Sequence, residues 1–397
     1  MNGPRFPGVV AALADGRVLA DNAASSQLPL DAIERLQAYL VVENAQKGSL
    51  FARHIRTSAL VAEGKAAFAE LIGVPSATVG IGLNATSIAM HLSRAIAPSI
   101  RPGDRIVLTA ADHAANVTPW MWLARFGAEI DIVPVDENGD LDEPAYQEAL
   151  ARGPVLVALP WASNATGTVF DVAGYARAAK AVGALVMVDG VQMLPHRRVD
   201  IDPAFDAVLF SGYKIFAPHL GFWYAHPDFA ERFFRSDDPF IPTDAPFWSI
   251  EPGTQSHEAV AGWLGTVAYL REVGGGKLRA AMETISSYER ELCKYALKKF
   301  ENRADVITLY GRPAQFYRLP LFAFNIEREE GESVARRLDA GGIEGRFGDY
   351  YSPRLLQTIA ADRGGTAVRL SFAHYNTTAD IDRCFAVIDD LIAVAAP

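Results

Sequence analysis

The sequence predicts an α/β protein with a mainly parallel sheet, followed by a smaller α+β domain. Between residues 105 and 225, short runs rich in β-branched and aromatic residues alternate with stretches of helical spacing. The last of these runs, GFWYA, follows the one before it too closely for a crossover helix, so one strand is expected to be antiparallel. With 397 residues, half of them hydrophobic, the chain can bury the cores of two or three domains.

The predicted elements follow from the hydrophobic period and from helix-favouring small residues. Before the sheet, helices are expected at 31–42 and 58–71. Strands are then expected at 105–109, 129–135, 155–160, 184–189, 207–211 and 221–225. A long helix at 257–273 is expected to link two domains. Beyond it we expect a helix to about residue 300, strands at 306–310 and 322–326, and helices starting at residues 331 and 378.

These elements divide the chain into three expected parts. Residues 1–25 form an N-terminal segment that packs on the small domain, residues 26–265 form the large domain, and residues 266–397 form the small C-terminal domain.

Composition limits the partners of this chain. It has 37 Lys and Arg against 47 Asp and Glu, so a net charge of -10 gives no general attraction for nucleic acid or anionic lipid. The two cysteines, Cys293 and Cys384, fall in amphipathic helical segments, which indicates neither a disulfide framework nor a thiolate metal site. Neither a signal peptide nor a membrane span is predicted. We therefore expect a cytoplasmic protein without a metal, and any phosphate-bearing ligand must be held by a local site.

The glycine-rich run from Gly80 to Ala85 allows two interpretations. It matches the GxGxx(G/A) fingerprint of dinucleotide-binding folds, and Asp112 stands roughly where that fingerprint needs an acidic residue. A nicotinamide-dependent oxidoreductase is therefore one alternative. The same run can instead hold a phosphate group, because backbone N–H groups at a helix N-terminus bind an anion with or without a dinucleotide.

A lysine and an aspartate at neighbouring strand ends point to a specific cofactor. Lys214 follows the run AVLFS, and Asp189 ends the run ALVMVD, at the edge where open α/β sheets bind ligands. Pyridoxal phosphate (PLP) needs an amine to form a Schiff base and an anion to keep its pyridine nitrogen protonated. A solvated surface lysine is the simpler reading of Lys214 alone, but the pair favours a PLP site.

Two further segments carry polar side chains after strand ends. His113 can lie on a flat ring and pass protons, although a structural role is the ordinary reading of such a histidine. Asn164 lies in SNATGT, which by itself indicates a helix-capping turn. The amides of Asn164 and Gln192 can instead donate to the phenolic oxygen of the cofactor.

Seven motifs in order resemble the cysteine desulfurase branch of the class V aminotransferase family, whose members depend on PLP and have fold type I. This resemblance covers nearly the whole chain and implies a seven-stranded, mainly parallel sheet in the large domain. The motifs are DNAA (21–24), DHAANVTPW (112–120), SNATGT (163–168), VDGVQ (188–192), FSGYKIFAPHLG (210–221), EPGT (251–254) and VRLSFAHYNT (368–377).

The resemblance implies roles for individual residues. The catalytic set is Lys214 as the Schiff-base lysine, Asp189 as the pyridinium partner and His113 as the ring-stacking residue. Further cofactor contacts are implied for Ala85, Thr86, Asn164, Gln192, Ser211, Tyr213 and Thr254. Thr254 is expected to reach the cofactor of the other subunit, which implies a homodimer with shared active sites. Arg369 matches the arginine that binds the substrate carboxylate, and further substrate contacts are implied for Asn22, Ala23 and Tyr351.

The chain departs from desulfurases at the loop that carries their catalytic cysteine. That loop here runs from Gly345 to Pro353, contains no thiol, and has Tyr351 at or next to the place of the cysteine. A phenol cannot accept sulfur to form a persulfide, so sulfur transfer by the usual route is not expected. Tyr213 also replaces the histidine that most often precedes the lysine, and its hydroxyl can still donate to phosphate.

The sequence therefore predicts a PLP-dependent enzyme that acts on a free amino acid by removing its α proton. We favour a lyase that breaks a C–S or C–Se bond by β-elimination. Transamination or epimerisation of an amino acid is the main alternative. An alternative of another class is a non-catalytic PLP-binding protein.

Overall fold

The computed structural model describes residues 5–235, 246–251 and 253–395. Its helices are α1 Pro7–Ala14, α2 Leu30–Ala38, α3 Ala52–Ile72, α4 Ala85–Ile96, α5 Thr118–Met121, α6 Glu143–Ala151, α7 Val172–Ala181, α8 Pro227–Phe233, α9 His257–Val273, α10 Leu278–Glu301, α11 Gly331–Ala340, α12 Pro353–Ile359 and α13 Thr378–Ala395. Its strands are β1 Val18–Leu19, β2 Val79–Gly82, β3 Arg105–Thr109, β4 Glu129–Val133, β5 Leu156–Pro160, β6 Leu185–Asp189, β7 Ala207–Ser211, β8 Gly221–Ala225, β9 Ile307–Leu309, β10 Leu321–Ile326, β11 Ile343–Glu344, β12 Arg346–Gly348 and β13 Ala367–Ser371.

The large sheet has seven strands within the described residues, in the order β2-β8-β7-β6-β5-β3-β4. Strands β3 to β7 are parallel to one another, whereas β8 runs antiparallel to both β7 and β2. The prediction of a mainly parallel, seven-stranded α/β fold with an antiparallel GFWYA strand is therefore confirmed.

Hydrophobic clusters cover both faces of this sheet. In β6, Val186 and Val188 belong to one cluster and Met187 to the other, because successive side chains point to opposite faces. Burial on both faces explains why these strands read as continuous hydrophobic runs.

The first half of the glycine-rich run that resembled a dinucleotide fingerprint, Gly80 to Gly82, lies in β2. Gly80 faces Trp223 of β8 so closely that a β carbon there would lie 2.2 Å from the indole ring. The glycine therefore makes room for a large buried ring beside it, which is a packing reason and not a nucleotide-binding one. The helix N-terminus that follows, at α4, still borders the cavity described below.

A second, antiparallel sheet has the order β12-β13-β10-β9 and packs with α10, α11 and α13 around its own hydrophobic cluster. The N-terminal segment joins this part of the molecule, since β1 pairs with β11 and Asp21 forms a bridge with Ser371. Helix α9 continues without a break across residue 265. The domain boundaries at residues 25 and 265 stay predictions.

Among the described helices, none combines the length and the apolar character that crossing a membrane requires.

Candidate active site

A cavity of about 710 Å³ lies where the C-terminal ends of the large-sheet strands meet the loop after β12. A smaller cavity beneath it shares several of its lining residues. The expected site residues that line one or both cavities are Ala23, Ala85, Thr86, His113, Asn164, Asp189, Gln192, Ser211, Tyr213, Lys214, Tyr351 and Arg369. Residues from most of the sequence motifs therefore converge at one place.

Lys214 ends a short 3-10 turn that begins directly after β7, and its remaining exposed surface faces the cavities. Burial lowers the pKa of its amine to about 8, and the charge of Arg369 acts in the same direction, while Asp189 opposes the shift. The neutral, nucleophilic share of this amine near physiological pH is therefore much larger than that of an ordinary lysine.

Asp189 is the last residue of β6, and its Oδ1 accepts a hydrogen bond of 2.8 Å from the backbone N–H of Val191. Burial raises the pKa of its carboxyl group, whereas that N–H and the charge of Lys214 lower it. Asp112 lies on the wall of the same inner cavity. Burial, together with the charge of Asp189, raises the pKa of Asp112 well above its usual range. Asp112, which stands roughly where the dinucleotide fingerprint needs an acidic residue, is therefore a neighbour of Asp189.

His113 follows β3 and begins a 3-10 turn, where its Nδ1 accepts a hydrogen bond of 3.0 Å from the N–H of Ala115. The proton of the neutral ring therefore resides on Nε2. Burial lowers the pKa of His113 to about 4, and the charges of Lys214 and Arg369 act in the same direction. The ring is uncharged near neutral pH and can pack flat against another ring.

The N-terminus of α4 forms a cradle at the inner cavity. The side chain of Asn84 caps the helix, and the N–H of Ala85 donates to Ser211 Oγ at 3.2 Å. A β carbon on Gly221 would lie 2.8 Å from the Cα of Asn84, so glycine is needed for β8 to approach this turn. Burial raises the pKa of Tyr213, which keeps its hydroxyl protonated and able to donate. Helix N–H groups and hydroxyl donors fit a phosphate group.

The two amides expected at the phenolic oxygen both have protein partners. Gln192 Nε2 donates to the carbonyl of Ala23 at 2.8 Å, while its Oε1 is buried and has no partner among the described residues. Asn164 Nδ2 donates to the carbonyl of Tyr350 at 2.8 Å, which leaves its second hydrogen free for a ligand. Gln192 lines the inner cavity, and only the second hydrogen of its Nε2 remains to donate to a phenolic oxygen, since Oε1 can only accept.

Arg369 comes from β13 and is buried, with its guanidinium held on two sides. Nη1 donates to the carbonyl of Asn164 at 2.7 Å, and Nη2 pairs with Asp21 Oδ1 at 2.8 Å. The guanidinium carbon also lies 4.6 Å from the centre of the Tyr350 ring. These contacts fix the orientation of a cation at the cavity wall, as a carboxylate-binding arginine requires.

The loop after β12 closes one side of the cavity, and two adjacent non-glycine residues in it have positive φ, Tyr350 at 55° and Tyr351 at 60°. Tyr351 is held by its carbonyl, which accepts from the N–H of Ala114 at 2.8 Å. Ser352 Oγ donates to Asn164 Oδ1, also at 2.8 Å. With the Asn164 bond to Tyr350, three hydrogen bonds tie this loop to the large sheet side of the site.

The two tyrosines of this loop have different surroundings. Tyr350 is 5% exposed, packs against Arg369 and donates through its hydroxyl to the carbonyl of Ala367. Tyr351, which the resemblance puts at or next to the place of the desulfurase cysteine, is 69% exposed, and the centre of its ring lies 5.6 Å from that of His113. The structure therefore puts Tyr350 inside the site and Tyr351 at its mouth.

Sequence reasoning missed the parts that Asp21, Tyr350, Ser352 and Arg346 play. Asp21 stands in the DNAA motif, yet it is separated by 348 residues from Arg369, with which it pairs. Arg346 donates to the other oxygen of Asp21 at 2.8 Å. Position in a matched motif was the available signal for Asp21, and no local pattern indicates its partners.

Two expected site residues do not line these cavities. Asn22 is buried, and its Nδ2 donates hydrogen bonds to the carbonyls of Leu19 and Ser371 and to Asn376 Oδ1, all within the protein. Thr254 is exposed, and its hydroxyl lies 3.4 Å from Gln46 Oε1. The roles assigned to these two residues stay predictions.

Both cysteines lie in the hydrophobic cluster of the small sheet. Burial raises the pKa of Cys293 to about 12 and that of Cys384 still further above its usual range. Neither lines the cavities. Neither thiol is therefore placed or ionised as a sulfur-accepting nucleophile must be.

Comparisons with known proteins agree with this geometry. The family described as Aminotransferase class-V matches residues 18–384. A cysteine desulfurase of Pectobacterium carotovorum subsp. carotovorum is 31% identical over 410 residues, covering 96% of this chain and 95% of that protein. The aminotransferase-like protein FGM3 of Gibberella zeae is 27% identical over 390 residues, with 95% of each chain covered.

Solved structures show the same fold. The apo cysteine desulfurase from Thermococcus onnurineus NA1 superposes with a TM-score of 0.88 at 22% identity, covering 99% of this chain and 100% of that one. The cysteine desulfurase CsdA from Escherichia coli superposes with a TM-score of 0.82 at 25% identity, covering 98% and 97%. The chain is therefore a PLP-dependent enzyme that belongs to the class V aminotransferase family, in its cysteine desulfurase-like branch.

Proposed function

We propose that this enzyme is a lyase that breaks the bond between the β carbon and sulfur or selenium in a free amino acid. The observation that carries the proposal is the convergence of Lys214, Asp189 and Arg369 on two adjoining cavities, both lined by Lys214, beside a loop that holds no thiol. The first two suit α-proton chemistry, and the third suits an amino-acid carboxylate. The missing thiol argues against storage of sulfur on the protein.

PLP would occupy the inner cavity and the adjoining part of the larger one, since Thr86, His113 and Lys214 line both. Its phosphate would lie at the N-terminus of α4, with the N–H groups of Ala85 and Thr86 and the hydroxyls of Ser211 and Tyr213 as donors. Asp189 would accept from the pyridine nitrogen. The neutral imidazole of His113 would pack against the pyridine ring. The side-chain amides of Asn164 and Gln192 would lie beside the phenolic oxygen. When bound, PLP supplies an aldehyde that reacts with amines and a ring that stabilises negative charge at the α carbon.

Lys214 is the base in this proposal. At about pH 8 half of its amine is neutral, so Nζ can accept the α proton of a substrate. The nearby positive charge of Arg369 favours the neutral amine. His113, with a pKa of about 4, stays uncharged during this step and does not compete for the proton.

Arg369 would bind the substrate carboxylate. Its guanidinium is already held by Asp21 and by the carbonyl of Asn164, so little side-chain entropy remains to be lost on binding. Asp21 also pairs with Arg346, so two arginines share one carboxylate. Arg369, Arg346 and Asp21 together therefore have a net charge of +1, which suits the binding of one substrate carboxylate.

We also propose a cytoplasmic homodimer in which Thr254 reaches the cofactor of the other subunit. Support comes from large hydrophobic side chains that are exposed on one segment: Leu40, Val41, Val42, Leu50, Phe51 and Ile55, between 46% and 79% exposed. Light scattering should give the mass of a dimer, and Val41→Asp should shift it towards a monomer with weaker PLP binding. A fully loaded, active monomer would refute this arrangement.

The lyase reaction is tested by product balance. The enzyme is incubated with L-cysteine, L-selenocysteine and S-methyl-L-cysteine, and keto acid, ammonia and the released sulfur or selenium species are measured. A lyase gives all three in equal amounts. A transaminase gives keto acid without ammonia, and an epimerase gives neither, so either result would overturn the proposal.

The matched variants are two lysine substitutions. Lys214→Ala should abolish turnover and should prevent borohydride from fixing PLP to the protein, because no other amine takes its place. Lys277→Ala, at the start of α10 and outside the cavities, should keep both properties.

A further inference from the structure

The resemblance puts Tyr351 at or next to the position of the sulfur-accepting cysteine of desulfurases, and its side chain lines the cavity that Arg369 also lines. A substrate whose carboxylate is bound by Arg369 can therefore extend its side chain towards Tyr351. An aromatic ring in that position cannot accept sulfur, but it can pack against a group bonded to sulfur. An aromatic residue at this place therefore favours a substrate whose sulfur carries a further group.

The backbone holds this ring at the cavity mouth at some cost. A positive φ is unfavourable for a tyrosine, and so is the exposure of 69% of the residue to water. The bond from the N–H of Ala114 to the carbonyl of Tyr351 keeps the loop in this conformation. Strain of this kind persists where a surrounding structure fixes it, and such sites are commonly functional.

The cavity beside the Tyr351 ring has room and an apolar wall for a substrate side chain. Bound PLP would fill part of the cavity volume of about 710 Å³, because Thr86, His113 and Lys214 line the cavity too. The rest of its wall includes the apolar side chains of Met90, Pro119 and Phe347. Met90 is 42% exposed. Free cysteine, with only hydrogen on its sulfur, would leave these apolar surfaces uncovered.

We propose that the substrate is an L-cysteine whose sulfur carries an aromatic or similarly large apolar substituent. The substituent packs against Tyr351, and the carboxylate of the amino acid is bound by Arg369. This inference rests on the proposed lyase function. In the reaction the α C–H and β C–S bonds break and a double bond forms between these carbons. The proton passes to Lys214 Nζ, and the electron pair of the C–S bond leaves with sulfur as a thiolate. Water then converts the released three-carbon enamine into pyruvate and ammonia, so no oxidant or thiol acceptor is needed.

The test compares S-benzyl-L-cysteine with S-methyl-L-cysteine in the holoenzyme, with pyruvate, ammonia and thiol all measured. We expect kcat/KM to be about tenfold or more higher for the benzyl compound. Tyr351→Ala should reduce this ratio about tenfold, and Tyr351→Phe should preserve it, since the ring and not the hydroxyl makes the contact. Tyr317→Ala removes another exposed aromatic ring, one outside the cavity, and should leave the ratio unchanged.

Binding is measured separately from turnover with α-methyl-S-benzyl-L-cysteine, which has no α hydrogen to lose. Calorimetry should show weaker binding to Tyr351→Ala than to Tyr351→Phe. If both cysteine derivatives yield thiol but the methyl compound is preferred, the inference fails while the lyase stands. If neither cysteine derivative yields thiol, and keto acid forms without ammonia, both the inference and the proposed lyase function fail.

Discussion

Arg369 forms an ion pair with Asp21 in which Nη2 lies 2.8 Å from Oδ1, and the arginine side chain is only 3% exposed. The pair joins the strand that carries the predicted substrate-binding residue to the N-terminal segment. It leaves the guanidinium fixed beside the cavity, where its planar fork can present more than one donor to a carboxylate.

The first prediction concerns Arg369→Lys. A lysine amine is a point charge that cannot hold both Asp21 and the carbonyl of Asn164 while also binding a carboxylate. We expect KM for the amino acid to rise at least tenfold, which corresponds to about 1.4 kcal/mol of lost binding. Steady-state kinetics with the amino acid as the varied substrate measures this change in KM.

The control for this change is Arg177→Lys, which alters an exposed arginine that pairs with Asp202 on the surface. It should leave KM unchanged. Equal KM values for Arg369→Lys and the unaltered enzyme would show that the carboxylate binds elsewhere.

The second prediction follows from the pKa of Lys214. Only the neutral amine attacks the aldehyde of PLP, and burial lowers this pKa from an ordinary 10.5 to about 8. Uptake of PLP by the cofactor-free protein should therefore accelerate about tenfold per pH unit below pH 8 and level off above it. The rate is followed by absorbance in a stopped-flow instrument.

His113 should add no second inflection to that profile between pH 6 and 9, because its pKa of about 4 keeps it neutral throughout. A rate that continues to rise up to pH 10 would instead indicate an ordinary lysine and argue against burial as the cause.

The third prediction concerns the thiols. Replacing both Cys293 and Cys384 by Ala should leave turnover intact, because both side chains lie in the small-sheet core and away from the cavities. The loss of packing should lower the free energy of unfolding by about 1 kcal/mol for each substitution, measured by denaturant titration. A protein-bound persulfide that disappears with Cys384→Ala would restore the desulfurase mechanism.

Much of the large sheet could be predicted from the sequence because its strands are buried on both faces. Continuous apolar runs such as the one ending at Asp189 mark each strand, and polar residues directly after them mark the edge of the site. Lys214, Asp189 and His113 could be selected on this basis, and the cavity brings them together.

Other features depend on contacts that local patterns do not encode. The glycine spacing in β2 allows a dinucleotide-binding interpretation as well as a phosphate-binding one, whereas Gly80 makes room for Trp223. The positive φ of Tyr350 and Tyr351 is unexpected for bulky residues. The partner of Arg369 lies near the other end of the chain. Each of these is fixed by tertiary packing.

The last prediction concerns Ser352, which is fully buried and donates to Asn164 Oδ1 at 2.8 Å. Ser352→Ala leaves a buried amide oxygen without its donor, at a cost of about 1–3 kcal/mol. The loop should open more often, and the N–H of Ala114, which donates to the carbonyl of Tyr351, should report it. We expect hydrogen exchange at Ala114 to accelerate about tenfold or more, since 1.4 kcal/mol changes an opening equilibrium tenfold.

Ser93→Ala is the matched control, because this buried hydroxyl donates only to the carbonyl of Met90 within its own helix. It should leave exchange at Ala114 unchanged. The same Ser352→Ala protein should also bind PLP more weakly, because a freed Asn164 amide can rotate away from the inner cavity. Unchanged exchange at Ala114 in Ser352→Ala would mean that the loop is held by its other contacts, so Ser352 would not be the residue that couples the loop to Asn164.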